Sequence, residues 1–372
     1  MLVTAALALV TVELTFRLLG HAPQRVAAGG EKQPLERLVV FDPVLQTRYR
    51  PDVSVAVNSQ YGEFSTTYRT NSLGLRDRAL DVDQSARRIL VLGNSLVEGW
   101  GVEEDAGLVR VAERQLLQNT GKYLRLVNGG MSGFGVAQSF LLAQELITKT
   151  KPSTIVFVYL STMVRADHAF LQIADRSADG LATGLSADAL LKQPTPQEPK
   201  AMPSAWLQSL RIHSSTAQFA AQRLDNRAAQ DGIKPGDPNT DLLAGLRAPA
   251  ERLALLHEPS LKHLRGLAAL GKAENIPLIV VHLPMPHQVS NREWSLGRLA
   301  YRLENKIYPA DDAEIVANLC KAYDLNCISA HTYLKAALQS PEKQQQYYYS
   351  YDFHPNAAGY ELIGKWIADQ LR

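Results

Sequence analysis

Residues 87–102, RRILVLGNSLVEGWGV, restrict the fold more than any other part of the chain. An apolar run of strand-like composition over 89–92 breaks abruptly at Gly93, Asn94 and Ser95, and a helical pattern resumes further on. A strand ending in a glycine-flanked turn is how a parallel α/β sheet lifts one side chain above its carboxyl edge. Here the lifted side chain is Ser95.

The same alternation continues downstream. A helix is expected over 106–117, with Leu108, Val111, Ala112 and Leu116 on one side, then a strand over 123–127, a helix over 136–149 and a third strand, TIVFVYL, over 154–160. After a long irregular stretch come a helix over 250–270, a strand over 277–282, a helix over 313–323 and a short strand over 325–328. The last helix, 357–371, carries Leu362, Ile363, Trp366, Ile367 and Leu371 at helical spacing. This order predicts an α/β protein of three layers, a mostly parallel sheet with helices on both faces.

Two stretches stand outside that rhythm. Residues 41–78, with a turn at Asn71, Ser72 and Gly74, are too short for a domain and read as a lead-in packed on the main sheet, lining part of the cleft. Residues 170–249 contain Pro194, Pro196, Pro199 and Pro203, a helical pattern over 206–224 and a turn-rich segment over 231–239. They read as an inserted lid or cap within a single domain spanning 41–372.

With 372 residues and 46% hydrophobic content the chain can bury a full core, and a net charge of +2 without a basic tract argues against nucleic acid as a partner. Residues 1–20, MLVTAALALVTVELTFRLLG, approach the length of a bilayer span but contain Glu13 and Arg17. Three readings stay open: a membrane anchor, which is favoured, an export signal with a small-residue cleavage site at Val26, Ala27 and Ala28, or a buried helix. Residues 21–40 then form a tether, which places the globular part outside the cytoplasm, either anchored at the membrane or exported. The two cysteines, Cys320 and Cys327, fit neither a CxxC redox pair nor a zinc site, and buried free thiols are the favoured reading. In an exported protein they would instead close a small disulfide loop.

A serine hydroxyl becomes a nucleophile only when a neighbouring base takes its proton. The segment 351–359, YDFHPNAAG, supplies Asp352 and His354 just before the last helix. If that loop crosses the carboxyl edge of the sheet, Asp352 can orient His354 and His354 can reach Ser95. The chain order Ser, Asp, His is the one met in α/β hydrolytic folds.

Other features are weighed against this one. The glycine-rich NGGMSGFG at 128–135 lacks the lysine of a phosphate-binding loop and the full dinucleotide pattern, so no cofactor is assigned. Backbone N–H groups offered to a developing oxyanion explain those glycines more simply. His282 and His287 flank two prolines without a carboxylate or thiol at ligand spacing, and are read as structural histidines, with no metal. The segment after the third strand offers Ser161, Thr162, Arg165, Asp167 and His168 as polar groups facing Ser95. Tyr347, Tyr348, Tyr349 and Tyr351 precede the acid and base and fit either stacking on sugars or ordinary packing.

Together these segments resemble the SGNH, or GDSL-like, hydrolase family in its membrane-linked bacterial form. GNSLVEGWG looks like the family's first block with Asn94 in place of the usual aspartate, NGGMSGFG like the second and DFHPNAAG like the last, while the lead-in RTNSLGLRDR resembles a segment upstream of the domain. The resemblance implies a flavodoxin-like fold and a serine esterase with Ser95 as nucleophile, His354 as base and Asp352 as acid. It also implies an oxyanion hole of Ser95, Gly133 and Thr162. In the third block the family ordinarily carries an asparagine, and this chain has STMVRADH, where Thr162 is the nearest donor. The implied substrate is a small-molecule or glycan ester, with acyl transfer to a cell-surface polysaccharide and a noncatalytic binding or assembly role as alternatives. Acyl chain and oligomeric state are not specified by these residues.

Overall fold

A computed structural model describes residues 37–59, 62–80, 87–192, 250–339 and 345–371, together with Thr11, Asp241 and Leu243. The proposed anchor over 1–20 apart from Thr11, most of the tether, and the helical pattern over 206–224 lie outside the described residues. Among the described residues no helix is long and apolar enough to cross a membrane.

Ahead of the central sheet, the described residues form two antiparallel hairpins, β1 (Val39–Asp42) with β2 (Gln46–Tyr49) and β3 (Ser54–Asn58) with β4 (Ser65–Arg69). There follow β5 (Arg87–Gly93), α1 (Ser95–Glu98), α2 (Leu108–Thr120), β6 (Leu124–Gly130), α3 (Val136–Thr150), β7 (Thr154–Tyr159) and α4 (Met163–Phe170). A third hairpin, β8 (Ala174–Arg176) with β9 (Ala182–Leu185), leads to α5 (Ala187–Leu191). The remainder comprises α6 (Ala250–Ala273), β10 (Leu278–His282), α7 (Pro286–Val289), α8 (Ser295–Ala300), α9 (Asp311–Ala322), β11 (Asn326–Ser329), α10 (His331–Gln339) and α11 (Ala357–Gln370).

Among the described residues five strands form the central sheet in the order β11-β10-β7-β5-β6, all parallel. Taken in chain order this is 2-1-3-4-5, the doubly wound arrangement whose strand order reverses at the first strand. The sheet is buried on both faces. Leu90, Leu92, Val127, Ile155 and Phe157 pack with α3 and α6 on one side, while Ile89, Val91, Leu126, Val156 and Val158 pack with α2 and α11 on the other. That double burial is why these strands read as continuous apolar runs rather than as alternating ones. The architecture is therefore three-layer α/β with helices on both faces of a parallel sheet.

Several elements differ from the expectation. β6 continues through Asn128 to Gly130 because the two glycines fit where side chains would not: a Cβ on Gly130 would lie 2.2 Å from the Glu98 backbone nitrogen. The glycine run thus serves close packing of β6 against α1. Residues 163–170, expected as a loop, form α4, whose Met163, Val164, Asp167 and Phe170 are buried. Among the described part of the 170–249 stretch, Ala182 and Leu185 of β9 belong to the main core, and the Leu185 N–H donates to the Pro43 carbonyl at 3.0 Å. The free-thiol reading is overturned: Cys320 near the end of α9 and Cys327 in β11 form a disulfide, their Cα atoms 6.1 Å apart. The helix end and the strand that runs back beside it bring together two thiols that a linear spacing keeps apart.

Candidate active site

β5 delivers Ser95 directly. Gly93 leaves no room for a side chain, since a Cβ there would lie 2.6 Å from Val97 Cγ2. Asn94 caps α1 by accepting the Leu96 N–H at 3.1 Å, and Gly99 ends this single turn in a left-handed conformation at φ 91°. Ser95 is therefore the first residue of a helix above the strand-order reversal, where its N–H has no partner within the helix.

Ser95 Oγ lies 2.6 Å from His354 Nε2. The other imidazole nitrogen, Nδ1, is hydrogen-bonded to Asp352 Oδ1, which also accepts the His354 backbone N–H at 3.0 Å. Asp352 Oδ2 accepts the Trp100 indole N–H at 2.9 Å. Burial pushes the Asp352 carboxyl up, but the His354 imidazole and the surrounding donors outweigh it and hold the group below the ordinary carboxylate range. Ser95 is 8% exposed and His354 6%, with Phe353 stacked on the imidazole at 4.3 Å between ring centres.

The loop carrying these residues is held along its length. Tyr349 N–H donates to the His354 carbonyl at 3.1 Å, and the Asn356 side chain caps α11 by accepting the Gly359 N–H at 3.1 Å. Tyr347 and Tyr348 are buried in the core, their N–H groups donating to Glu293 Oε2 at 3.1 and 2.9 Å. The Tyr349 hydroxyl donates to the Gly101 carbonyl at 2.6 Å. None of the four tyrosines lines the cavity above Ser95, and Tyr347 and Tyr348 are packing residues.

That cavity, of about 500 Å³, is lined by Ser95, His354, Gly133 and Thr162, with Trp100, Phe134, Phe170 and Phe353 as aromatic walls. Gln46 and Thr47 of the lead-in also reach it, as does Arg165. Gly133 sits at φ 80° with nothing within 4 Å of a Cβ position, so its backbone angle, not crowding, favours glycine. Thr162 Oγ1 accepts from Asn94 Nδ2 at 3.4 Å, which leaves the threonine proton for another acceptor.

Two further candidates after β7, Asp167 and His168, are used elsewhere. Asp167 is fully buried, accepts the Ala137 N–H at 2.8 Å and the Ser260 hydroxyl, and is pushed by burial to a pKa of about 6. It caps the start of α3, and His168 donates to the Leu256 carbonyl at 3.0 Å. His282 is bonded to Asp312 and Ser329, while His287 packs on Trp294 and Tyr308 and is pushed by burial to about 3. Among the described residues no cluster of His, Cys, Asp and Glu is arranged to hold a metal.

Sequence reasoning missed Trp100, Glu63 and Glu98. Glu63 accepts the N–H groups of Tyr351 and Asp352, and Glu98 Oε2 accepts the Tyr49 hydroxyl at 2.8 Å and the Ser132 N–H. The available signals were an indole between two glycines and an acidic residue in the helix turn of the candidate serine.

No protein-family model and no curated protein sequence matches this chain. Solved structures that are similar to it include a GDSL-like lipase from Bacteroides thetaiotaomicron VPI-5482, at 14% identity and a TM-score of 0.35, covering 78% of this chain and 91% of that one. A lipase/acylhydrolase from Enterococcus faecalis aligns at 12% identity and a TM-score of 0.37, covering 77% of this chain and 95% of its own. LAE5, an alpha/beta hydrolase enzyme from the metagenome of Lake Arreo, Spain, aligns at 13% and 0.38, over 76% and 95%. At these scores the likeness carries no argument about the site, and the chemistry rests on the geometry above.

Proposed function

We propose that the protein is a serine hydrolase that cleaves carboxylic esters, including acyl groups on a carbohydrate, with Ser95, His354 and Asp352 as its catalytic residues. The observation that carries this reading is the 2.6 Å contact between Ser95 Oγ and His354 Nε2 at the floor of a cavity. His354 takes the serine proton as Oγ attacks the ester carbonyl. Asp352, ionised and fixed by Trp100, keeps the imidazole in the tautomer whose Nε2 accepts and stabilises the imidazolium that forms. The backbone N–H groups of Ser95 and Gly133, with the Thr162 hydroxyl, stabilise the tetrahedral oxyanion. His354 returns its proton to the leaving alkoxide, and water then attacks the acyl-enzyme.

The disulfide supports an oxidising compartment for the domain, in keeping with an anchored or exported protein. The hydrolase reading is tested with a fluorophosphonate probe and tryptic mass spectrometry. Wild type is expected to carry the label on Ser95 and Ser95→Ala to carry none. A wild-type protein that stays unlabelled, or a labelled Ser95→Ala, would remove Ser95 from the reaction. Incubating the labile acyl ester with an oligosaccharide separates hydrolysis, which yields free acid, from transfer, which leaves the acyl group on the sugar.

A further inference from the structure

Asp352 and His354 lie in a loop beyond the sheet, and their distance from Ser95 depends on what holds that loop. We propose that Glu63, between β3 and β4, is a positioning residue that braces the Asp352–His354 loop, so that the β3–β4 hairpin completes the active site. This rests on the hydrolase reading above for its catalytic consequence, though not for the contact itself.

One carboxylate spans two successive peptide groups: Glu63 Oε1 accepts the Tyr351 N–H at 2.9 Å and Oε2 accepts the Asp352 N–H at 3.0 Å. Hydrogen bonds to an ionised acceptor are about twice as strong as neutral ones, and a pair of them fixes orientation as well as distance. The second of these N–H groups belongs to the residue that orients the imidazole. A shift of its backbone is therefore carried directly to Asp352 Oδ1 and from there to His354.

The hairpin bearing Glu63 is itself seated on the turn after α1. Phe64 packs edge-on against Trp100 at 5.6 Å, and its ring lies tilted at 45° to that of Tyr349 at 5.3 Å. Thr66 Oγ1 donates to the Val102 carbonyl at 2.9 Å, and the Thr67 N–H donates to Glu103 Oε1 at 2.9 Å. Trp100 in turn donates to Asp352 Oδ2. Both supports of Asp352, the indole at its side chain and Glu63 at its backbone, thus meet at one hairpin that lies outside the parallel sheet.

The test uses the full chain as wild type, Glu63→Gln, Glu63→Ala and, as a control, Ser65→Ala at an exposed position of the same hairpin. Gln keeps one acceptor oxygen but turns an NH2 toward the second N–H, so it is expected to be intermediate. For folded protein, kcat on a p-nitrophenyl ester and the rate of fluorophosphonate labelling are expected to fall about 100-fold in Glu63→Ala and about 10-fold in Glu63→Gln. KM should change little, and Ser65→Ala should match wild type. In parallel, NMR should show faster amide exchange at Tyr351 and Asp352 and a changed His354 Nδ1 proton resonance. A folded Glu63→Ala protein with wild-type labelling, kcat and His354 resonance would overturn the brace, including one that merely melts at lower temperature. If wild-type Ser95 neither labels nor turns over substrate, the hydrolase reading fails, and the amide and imidazole signals still decide for or against the brace.

Discussion

Two serine–histidine–aspartate groupings stand on the carboxyl side of the same sheet, and the cavity beside Gly133 and Thr162 is lined by members of only the first. The first joins Ser95, His354 and Asp352 above β5. The second lies at the β10 and β11 ends, where His282 Nδ1 is 3.0 Å from Ser329 Oγ and His282 Nε2 is 3.0 Å from Asp312 Oδ2. In the second group every atom has a structural task. Ser329 Oγ accepts the His331 N–H at 3.3 Å at the start of α10, and Asp312 Oδ1 accepts Gln288 Nε2 at 2.8 Å. None of its members lines the cavity beside Gly133 and Thr162. Side-chain identity is thus common to both, but the ring nitrogens are exchanged, since Ser95 meets Nε2 at 2.6 Å and Ser329 meets Nδ1 at 3.0 Å, and only the first grouping shares the cavity with the candidate oxyanion donors Gly133 and Thr162.

Paired substitutions sharpen that contrast. Ser95→Ala is expected to lower kcat by about 10⁶-fold, in the range seen when a nucleophile is removed, whereas Ser329→Ala should leave kcat unchanged. Ester turnover by the two purified proteins measures both, and a comparable loss in Ser329→Ala would erase the distinction. Asp352→Asn is the next largest change. An amide in place of the carboxylate favours the wrong imidazole tautomer, and kcat per folded molecule should fall about 10⁴-fold. Retention of near-full activity in that variant would mean that His354 needs no orienting acid.

The contrast also marks what could be read from the chain alone. The sheet was legible because strands covered on both faces, such as 89–92 and 154–159, are unbroken apolar runs whose ends fall at glycine or polar turns. The neighbourhood of Ser95, Asp352 and His354 followed from where those turns must lie relative to the strand ends. The second grouping was not legible: His282 was noticed only beside His287, and its partners Asp312 and Ser329 come from α9 and β11. Glu63 and Trp100 were missed for the same reason, since their bonds to residues 351–352 span more than 250 positions and leave no local pattern. The α4 segment hid its period under Arg165, Asp167 and His168, and its burial against α3 and α6 outweighs that polar composition.

A smaller effect is expected on the oxyanion side. Thr162→Val keeps the shape of the side chain and removes one hydroxyl donor from the cavity wall. If that hydroxyl helps hold the tetrahedral intermediate, kcat should fall about 100-fold with little change in KM. The loss should be steeper for kcat than for binding of an uncharged product, measured by calorimetry. An unchanged kcat would leave the Ser95 and Gly133 backbone N–H groups as the whole of the oxyanion hole.

The smallest effect belongs to the His282–Asp312 grouping and appears as stability. Burial pushes the Asp312 carboxyl up, but His282 and Gln288 more than offset it and bring its pKa from 3.8 down to about 2. A carboxyl whose native pKa lies below its unfolded value binds fewer protons when folded. Its contribution is fully present above the unfolded pKa and is lost as pH falls through the native one. Asp312→Asn should therefore be less stable than wild type by about 2 kcal/mol at pH 5 in urea unfolding, with the gap narrowing between pH 4 and about 2. Its kcat per folded molecule should match wild type, because none of its bonds reaches Ser95, His354 or Asp352. A loss of turnover in folded Asp312→Asn would instead couple the two groupings through the sheet. Tyr159 would be the first residue to examine, since its ring lies 6.5 Å from that of His282, in the strand that precedes Thr162.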